Sequence, residues 1–144
     1  MLSYSCKTAI KAVIYLASKF ETGSRESITD IAGNIDASEH TVGKLLQALA
    51  KLEVINSSKG PGGGFYLDKK QLNQPVINII FAIDGKNIFK ECGLGLNKCS
   101  EKHPCPIHHQ YKASRDLAEN LFREKKISDL SEAVEAGKSF LYNE

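Results

Sequence analysis

The chain has 144 residues, about one domain's length, with 42% apolar and 25% charged residues, a composition that lets a globular chain bury its own core without staples. Its 19 basic and 17 acidic residues leave a net charge of +2, which excludes a globally basic coat for nucleic acid but permits a local patch. No run of about eighteen apolar residues occurs, so a spanning helix is excluded; no secretory leader is expected, and the cytoplasm is the expected setting, with no membrane partner. In that setting the four cysteines are read as ligands or redox groups rather than bridges.

Ser3 precedes a helical pattern of Ala9, Ile10, Val13, Ile14, Ala17 and Phe20, which predicts a first helix over about 4–21. Ser27 caps a short helix through Asn34, with Ile28, Ile31 and Ala32 inward. After a turn at 35–37, Ser38 caps a third helix to about Leu52, where Val42, Leu45, Leu46 and Leu49 repeat at helical spacing. Val54–Ser58 and Phe65–Leu67 flank a glycine-rich tip and predict a hairpin. Pro75 opens a strongly apolar helix that stops at Gly85. Residues 86–106 form a loop carrying three cysteines. A long helix over about 107–125 follows, with Ile107, Tyr111, Leu117, Ala118, Leu121 and Phe122 as its apolar stripe. A last short helix runs from Ile127 to about Ala136, capped by Ser128, and 137–144 is expected to fray.

That order of elements spells a mainly α fold with a small β-hairpin wing, a winged helix-turn-helix followed by a long C-terminal helix. Residues 1–72 are read as the DNA-binding domain and 73–144 as helix, cysteine-rich sensor loop (86–108) and long helix. The third helix presents Ser38, Glu39, His40, Thr41 and Lys44 near its N-terminus, all able to hydrogen-bond to double-stranded DNA. The wing tip Lys59-Gly60-Pro61-Gly62-Gly63-Gly64 lets backbone approach phosphate or a minor groove, with Lys59 as a cation beside it. A nucleotide-binding loop is the competing use of such glycines, but no helix with a Lys-Ser or Lys-Thr pair follows, so a P-loop is excluded.

Six residues separate Cys92 from Cys99, five separate Cys99 from Cys105, and two more lead to His108. Three thiolates and an imidazole make a four-ligand set. Zinc takes closer pairs, so this spacing favours an iron–sulfur cluster, with zinc or three free thiols as the alternatives. His103 and His109 are read as solvated, and Cys6 as a buried, inert thiol. A cluster without DNA would make an electron carrier, but the wing and helix-turn-helix would then be unused. No acid–base or nucleophile pair outside the loop suggests an enzyme.

Two motifs in the right order carry a resemblance: the wing Ser57-Ser58-Lys59-Gly60-Pro61-Gly62-Gly63-Gly64-Phe65, and the cysteine triplet between two helices. The chain resembles the Rrf-type winged-helix regulators, the family of IscR, NsrR and RirA, over about residues 1–135. The resemblance implies a homodimer whose long C-terminal helices cross, placing two winged helices on a pseudo-palindromic operator. It implies an iron–sulfur cluster on Cys92, Cys99 and Cys105, with His108 matching the fourth ligand of the IscR branch. That branch pattern favours 2Fe–2S, while 4Fe–4S occurs in branches that borrow a carboxylate from the partner's N-terminal helix; here no carboxylate precedes Glu21. Three departures stand out. The first cysteine spacing is one residue longer than usual. Glu53 occupies a position that typically holds the glycine ending the recognition helix, so a left-handed cap there would be strained or replaced. Gly43-Lys44 replaces a Glu-Gln pair, so base specificity does not carry over.

Overall fold

A computed structural model describes residues 1–143. Helix α1 (Tyr4–Ser18) starts where expected, the Ser3 hydroxyl accepting the Cys6 N–H at 3.0 Å. It ends three residues early, at a separate 3-10 turn, Phe20–Thr22. Helix α2 (Ile28–Ile35) is capped by Ser27 and α3 (Glu39–Lys51) by Ser38. Strands β1 (Asn56–Ser58) and β2 (Gly64–Tyr66) pair antiparallel, Ser57 opposite Phe65. They are shorter than the predicted hairpin arms because Val54 and Ile55 turn into the core instead.

The hairpin is completed by a third backbone segment. Glu26 and Phe65 exchange two backbone hydrogen bonds, of 3.0 and 2.8 Å. A Cβ on Gly64 would lie 2.6 Å from the Glu26 carbonyl oxygen, so only glycine lets the wing close this tightly onto the segment before α2. At the other end of α3, Glu53 does adopt the left-handed conformation, with φ 61°. The Val54 N–H donates to the Leu49 carbonyl and the Glu53 N–H to the Ala50 carbonyl, so a Schellman stop forms on a residue for which it is strained.

Helix α4 (Lys69–Leu72) escaped the sequence reading, although Asp68 and Gln71 cap it reciprocally. Helix α5 is Ile77–Asp84 and α6 is His108–Glu124. Helix α7 (Ile127–Glu135) begins one residue before Ser128, so Ser128 is not its cap; the Asp129 carboxylate accepts the Lys126 N–H at 2.9 Å instead. The principal core gathers α1, α2, α3 and the hairpin base, and Val76, Ile79 and Ile127 join it, so α5 and α7 pack on the same core. A second apolar cluster, Cys6 with Ile77, Ile80, Ile88 and Phe89, anchors the start of the cysteine loop. The end of the chain does not simply fray. Leu141 packs against the principal core, and residues 139–143 line a cleft beside Tyr15 and Lys19; Glu144 lies outside the described residues. No helix among the described residues is long and apolar enough to cross a membrane.

Candidate nucleic-acid interface and cysteine loop

Helix α3 is held against α2 by Ala32, Ile31 and Val42, all buried. Gly43 faces the start of α2: a Cβ there would lie 3.3 Å from the Ile28 side chain. The unusual glycine therefore serves close helix–helix packing, and the neighbouring Lys44 points to solvent. Ser38, Glu39 and His40 are also exposed, and Thr41 is half-buried. The Ser38 hydroxyl is partly committed, since it donates to Thr41 Oγ1 at 2.8 Å and accepts the Thr41 N–H at 3.2 Å. Gln47 and Lys51 extend the same exposed row along α3. The sequence reading missed both, although they follow Lys44 at helical spacing.

At the wing tip, Lys59, Gly60, Pro61 and Gly62 are exposed, while Gly63 and Gly64 are half-buried. A Cβ on Gly63 would lie 2.4 Å from the Ser58 carbonyl, and the Gly63 N–H donates to the Gly60 carbonyl at 2.9 Å, closing the tip as a tight turn. Arg25 stacks on the Tyr66 ring at 4.1 Å, adding a cation at the base of the wing. Among the described residues the only ion pairs are Lys112–Asp116 and Arg123–Glu119. Among the described residues, no carboxylate pairs with Lys44, Lys59 or Arg25.

The cysteine loop joins α5 to α6. His108 opens α6 and is only 4% exposed; its Nδ1 lies 3.3 Å from Cys99 Sγ, and its Nε2 is buried without a hydrogen-bond partner. Cys92 is half-buried and Cys105 is buried. Backbone N–H groups, Leu94 foremost and then Leu96, hold the Cys92 thiol below its ordinary range; the Leu94 N–H donates to it at 3.4 Å. Of the four expected ligands, Cys99 and His108 are in direct contact. Among the described residues no three His, Cys, Asp or Glu side chains converge on one ion-sized point.

Arg115, which the sequence reading passed over, reaches into the same loop. It is 4% exposed, and its guanidinium donates to the Glu91 carbonyl and, at 3.5 Å, to Cys99 Sγ. His108, Tyr111 and Arg115 share one face of α6, a signal that i, i+3, i+7 spacing did contain. The Tyr111 ring packs so closely on Gly93 that a Cβ there would approach it to 2.7 Å. Cys6, by contrast, is fully buried in the apolar cluster under α5, away from solvent, as expected of an inert thiol.

A helix-turn-helix with a glycine-tipped wing defines a winged-helix protein, as its solved neighbours are. CymR of B. subtilis, described as the global cysteine regulator, aligns with a TM-score of 0.73 at 20% identity, covering 92% of this chain and 96% of that one. T. potens IscR aligns with a TM-score of 0.72 at 17% identity, covering 96% and 91%. At such identities these likenesses speak for the fold. The chain belongs to the Rrf2 family, described as an iron-dependent transcriptional regulator, whose model matches residues 2–133. A relative from Aquifex aeolicus (strain VF5), named for a helix-turn-helix type of transcriptional regulator, is 33% identical over 89 residues, 60% of this chain. That match spans 62% of the relative's length. The relatives are named as regulators of transcription, not as enzymes.

Proposed function

We propose that this protein is a homodimeric, DNA-binding transcriptional regulator that senses nitric oxide, redox or iron–sulfur status through an iron–sulfur cluster. Cys92, Cys99, Cys105 and His108 would hold the cluster, with 2Fe–2S favoured. The observation that carries this reading is the buried, unpartnered Nε2 of His108 beside Cys99, in a loop whose donors form no ion-sized cage among the described residues. A buried imidazole nitrogen without a partner is costly, and a metal centre relieves that cost. Donors spread along the loop rather than gathered on one point suit a group larger than one zinc ion. The N–H groups around Cys92 and the guanidinium beside Cys99 suit thiolates, the form in which cysteine binds iron. Bound there, the cluster would supply thiolate-held iron open to oxidants and nitric oxide.

The chain's own residues then carry the response. Ser38, Glu39, His40, Thr41 and Lys44 would meet base edges and phosphates, while Lys59, Gly60, Pro61, Gly62, Gly63 and Gly64 would follow the backbone. The loop runs directly into α6. At the far end of α6 the Val76 N–H donates to the Lys125 carbonyl and the Ile127 N–H to the Gln74 carbonyl. The Gln74 side chain in turn donates to the Val54 carbonyl, just past α3, at 2.8 Å. A shift of α6 is thereby linked through Gln74 to the recognition helix. Leu117 and Leu121 remain 73% and 49% exposed on α6, an apolar face suited to the same helix of a second subunit. Two recognition helices set by such an interface must match one turn of DNA, so a modest change in α6 alters operator affinity.

A second reading has its own support: the thiol of Cys92, held below its ordinary range by backbone N–H groups, suits a metal-free redox-thiol sensor. Anaerobic purification with iron and acid-labile sulfide analysis separates the two. Coloured protein containing both elements supports the cluster. Colourless protein with freely titratable thiols supports the second reading, and colourless protein carrying zinc refutes both.

A further inference from the structure

Arg115, on α6 against the cysteine loop, is the one buried Lys or Arg among the described residues. No carboxylate lies within ion-pairing distance of it among the described residues. Its Nε is buried without a partner, and its remaining hydrogen bonds reach one carbonyl, of Glu91, and one sulfur, of Cys99. An isolated guanidinium excluded from water is expensive unless an anion balances it. Among the described residues the only ionisable side chain that it hydrogen-bonds is the Cys99 thiol, which points to the sulfur chemistry of the loop for the balancing charge. The guanidinium also spans the loop, since Glu91 directly precedes Cys92 and Cys99 closes the segment 92–99. One side chain thus ties both ends of that segment to α6.

We propose that Arg115 is the countercharge and positioning residue of the sensor loop: its buried guanidinium pins Glu91 and Cys99 to α6 and balances the negative charge of the thiolate-ligated group. The spectroscopic part rests on the cluster reading; the positioning part does not. A fixed cation beside a ligand sulfur stabilises the more negative charge state. It therefore makes the cluster easier to reduce: one electron enters, the charge falls by one, and no atom is transferred. Arginine is suited to this because its planar fork reaches two acceptors and does not lose its proton, whereas lysine keeps the charge but not the fork.

The test compares the wild type with Arg115→Lys and Arg115→Met. After anaerobic reconstitution, the reduction potential is measured by equilibration with dithionite and mediator dyes. The expected order is wild type and Arg115→Lys close together, with Arg115→Met shifted to lower potential; a potential unchanged in Arg115→Met overturns the charge role. In parallel, the metal-free proteins are digested with a Glu-specific protease, which cuts the loop at Glu91 and Glu101 without interference from either substitution. Loss of the fork should raise loop cleavage about tenfold in both variants, while the remaining sites keep the wild-type rate. Equal loop cleavage overturns the positioning role, and cleavage raised at every site shows general unfolding and overturns it too. If the wild type takes up no iron and sulfide, the cluster reading and the charge role fall together, and the digestion still decides the positioning role.

Discussion

Cys99 Sγ and His108 Nδ1 lie 3.3 Å apart, across a stretch that includes Pro104, Cys105 and Pro106. The two residues come from different kinds of structure, a loop and the first turn of α6, and Arg115 one face along the same helix donates to the same sulfur. This puts part of the cysteine loop in direct hydrogen-bonding reach of a helix whose other end is bonded to the segment carrying Gln74. Loop chemistry and helix position are therefore coupled by contact.

Lys59 is exposed at the wing tip without an acidic partner among the described residues, so its charge is available to DNA phosphate. Lys59→Ala should weaken binding to all sequences alike and reduce the slope of log K against log salt by about one. Fluorescence anisotropy over a salt series measures it. A change confined to one base position would contradict the wing assignment.

Glu53 holds a left-handed φ of 61° at the end of the recognition helix, where glycine has no steric penalty. Glu53→Gly should stabilise the protein by about 0.5–1 kcal/mol, since relieved strain outweighs the added freedom of the unfolded chain. Urea unfolding would show a higher midpoint with an unchanged slope. A lower midpoint would mean that the Glu53 side chain contributes more than its backbone costs.

Burial, with the Asp84 carboxylate beside it, pushes the Cys6 thiol up from 9.0 to about 12. The folded state favours the protonated thiol, so this contribution to stability is complete below pH 9 and is lost as the pH climbs toward 12. The stability advantage of wild type over Cys6→Ala should shrink across that window, by at most roughly 1.4 kcal/mol per pH unit. Denaturant unfolding at several alkaline pH values measures the gap; parallel curves would show that Cys6 ionises freely in the folded protein.

Leu117 stands on the outer face of α6, 73% exposed. Leu117→Glu should leave the fold of the single chain intact, convert a dimer to monomers, and cost both halves of operator recognition at once. Sedimentation velocity gives the mass, and circular dichroism checks the helices. A variant that stays dimeric would place the interface elsewhere.

Much of the fold was legible because its signals are local. Ser27 and Ser38 cap the helices they were expected to cap, and Gly63 and Gly64 of the wing sit where carbonyl oxygens leave no room for a Cβ. What was not legible depends on which side of a helix meets what. The α6 stripe read as one apolar face divides in the structure: Ala118 and Phe122 pack on the chain's own second cluster, while Leu117 and Leu121 face outward. A helix with two apolar faces gives one broadened pattern in sequence. Arg115 was overlooked because a charged residue on a helix is ordinarily solvated, and its burial follows only from the loop folding over it. The docking of Ile127 into the core formed by α1 is a long-range contact with no local marker. Of the residues proposed to meet DNA, Thr41, Gly63 and Gly64 are half-buried and the rest exposed, and the cap already occupies part of the hydrogen bonding of Ser38 and Thr41.

The central claim is that the state of the cysteine loop governs DNA affinity. The most direct test is an anaerobic gel-shift titration of DNA fragments selected by the protein, using iron–sulfur-loaded protein and the same preparation stripped by chelator. The account predicts sequence-selective binding in at least one state and an affinity difference of about tenfold or more between the two, near the middle of the range for coupled sites. Equal affinity in both states, for every selected fragment, would contradict it.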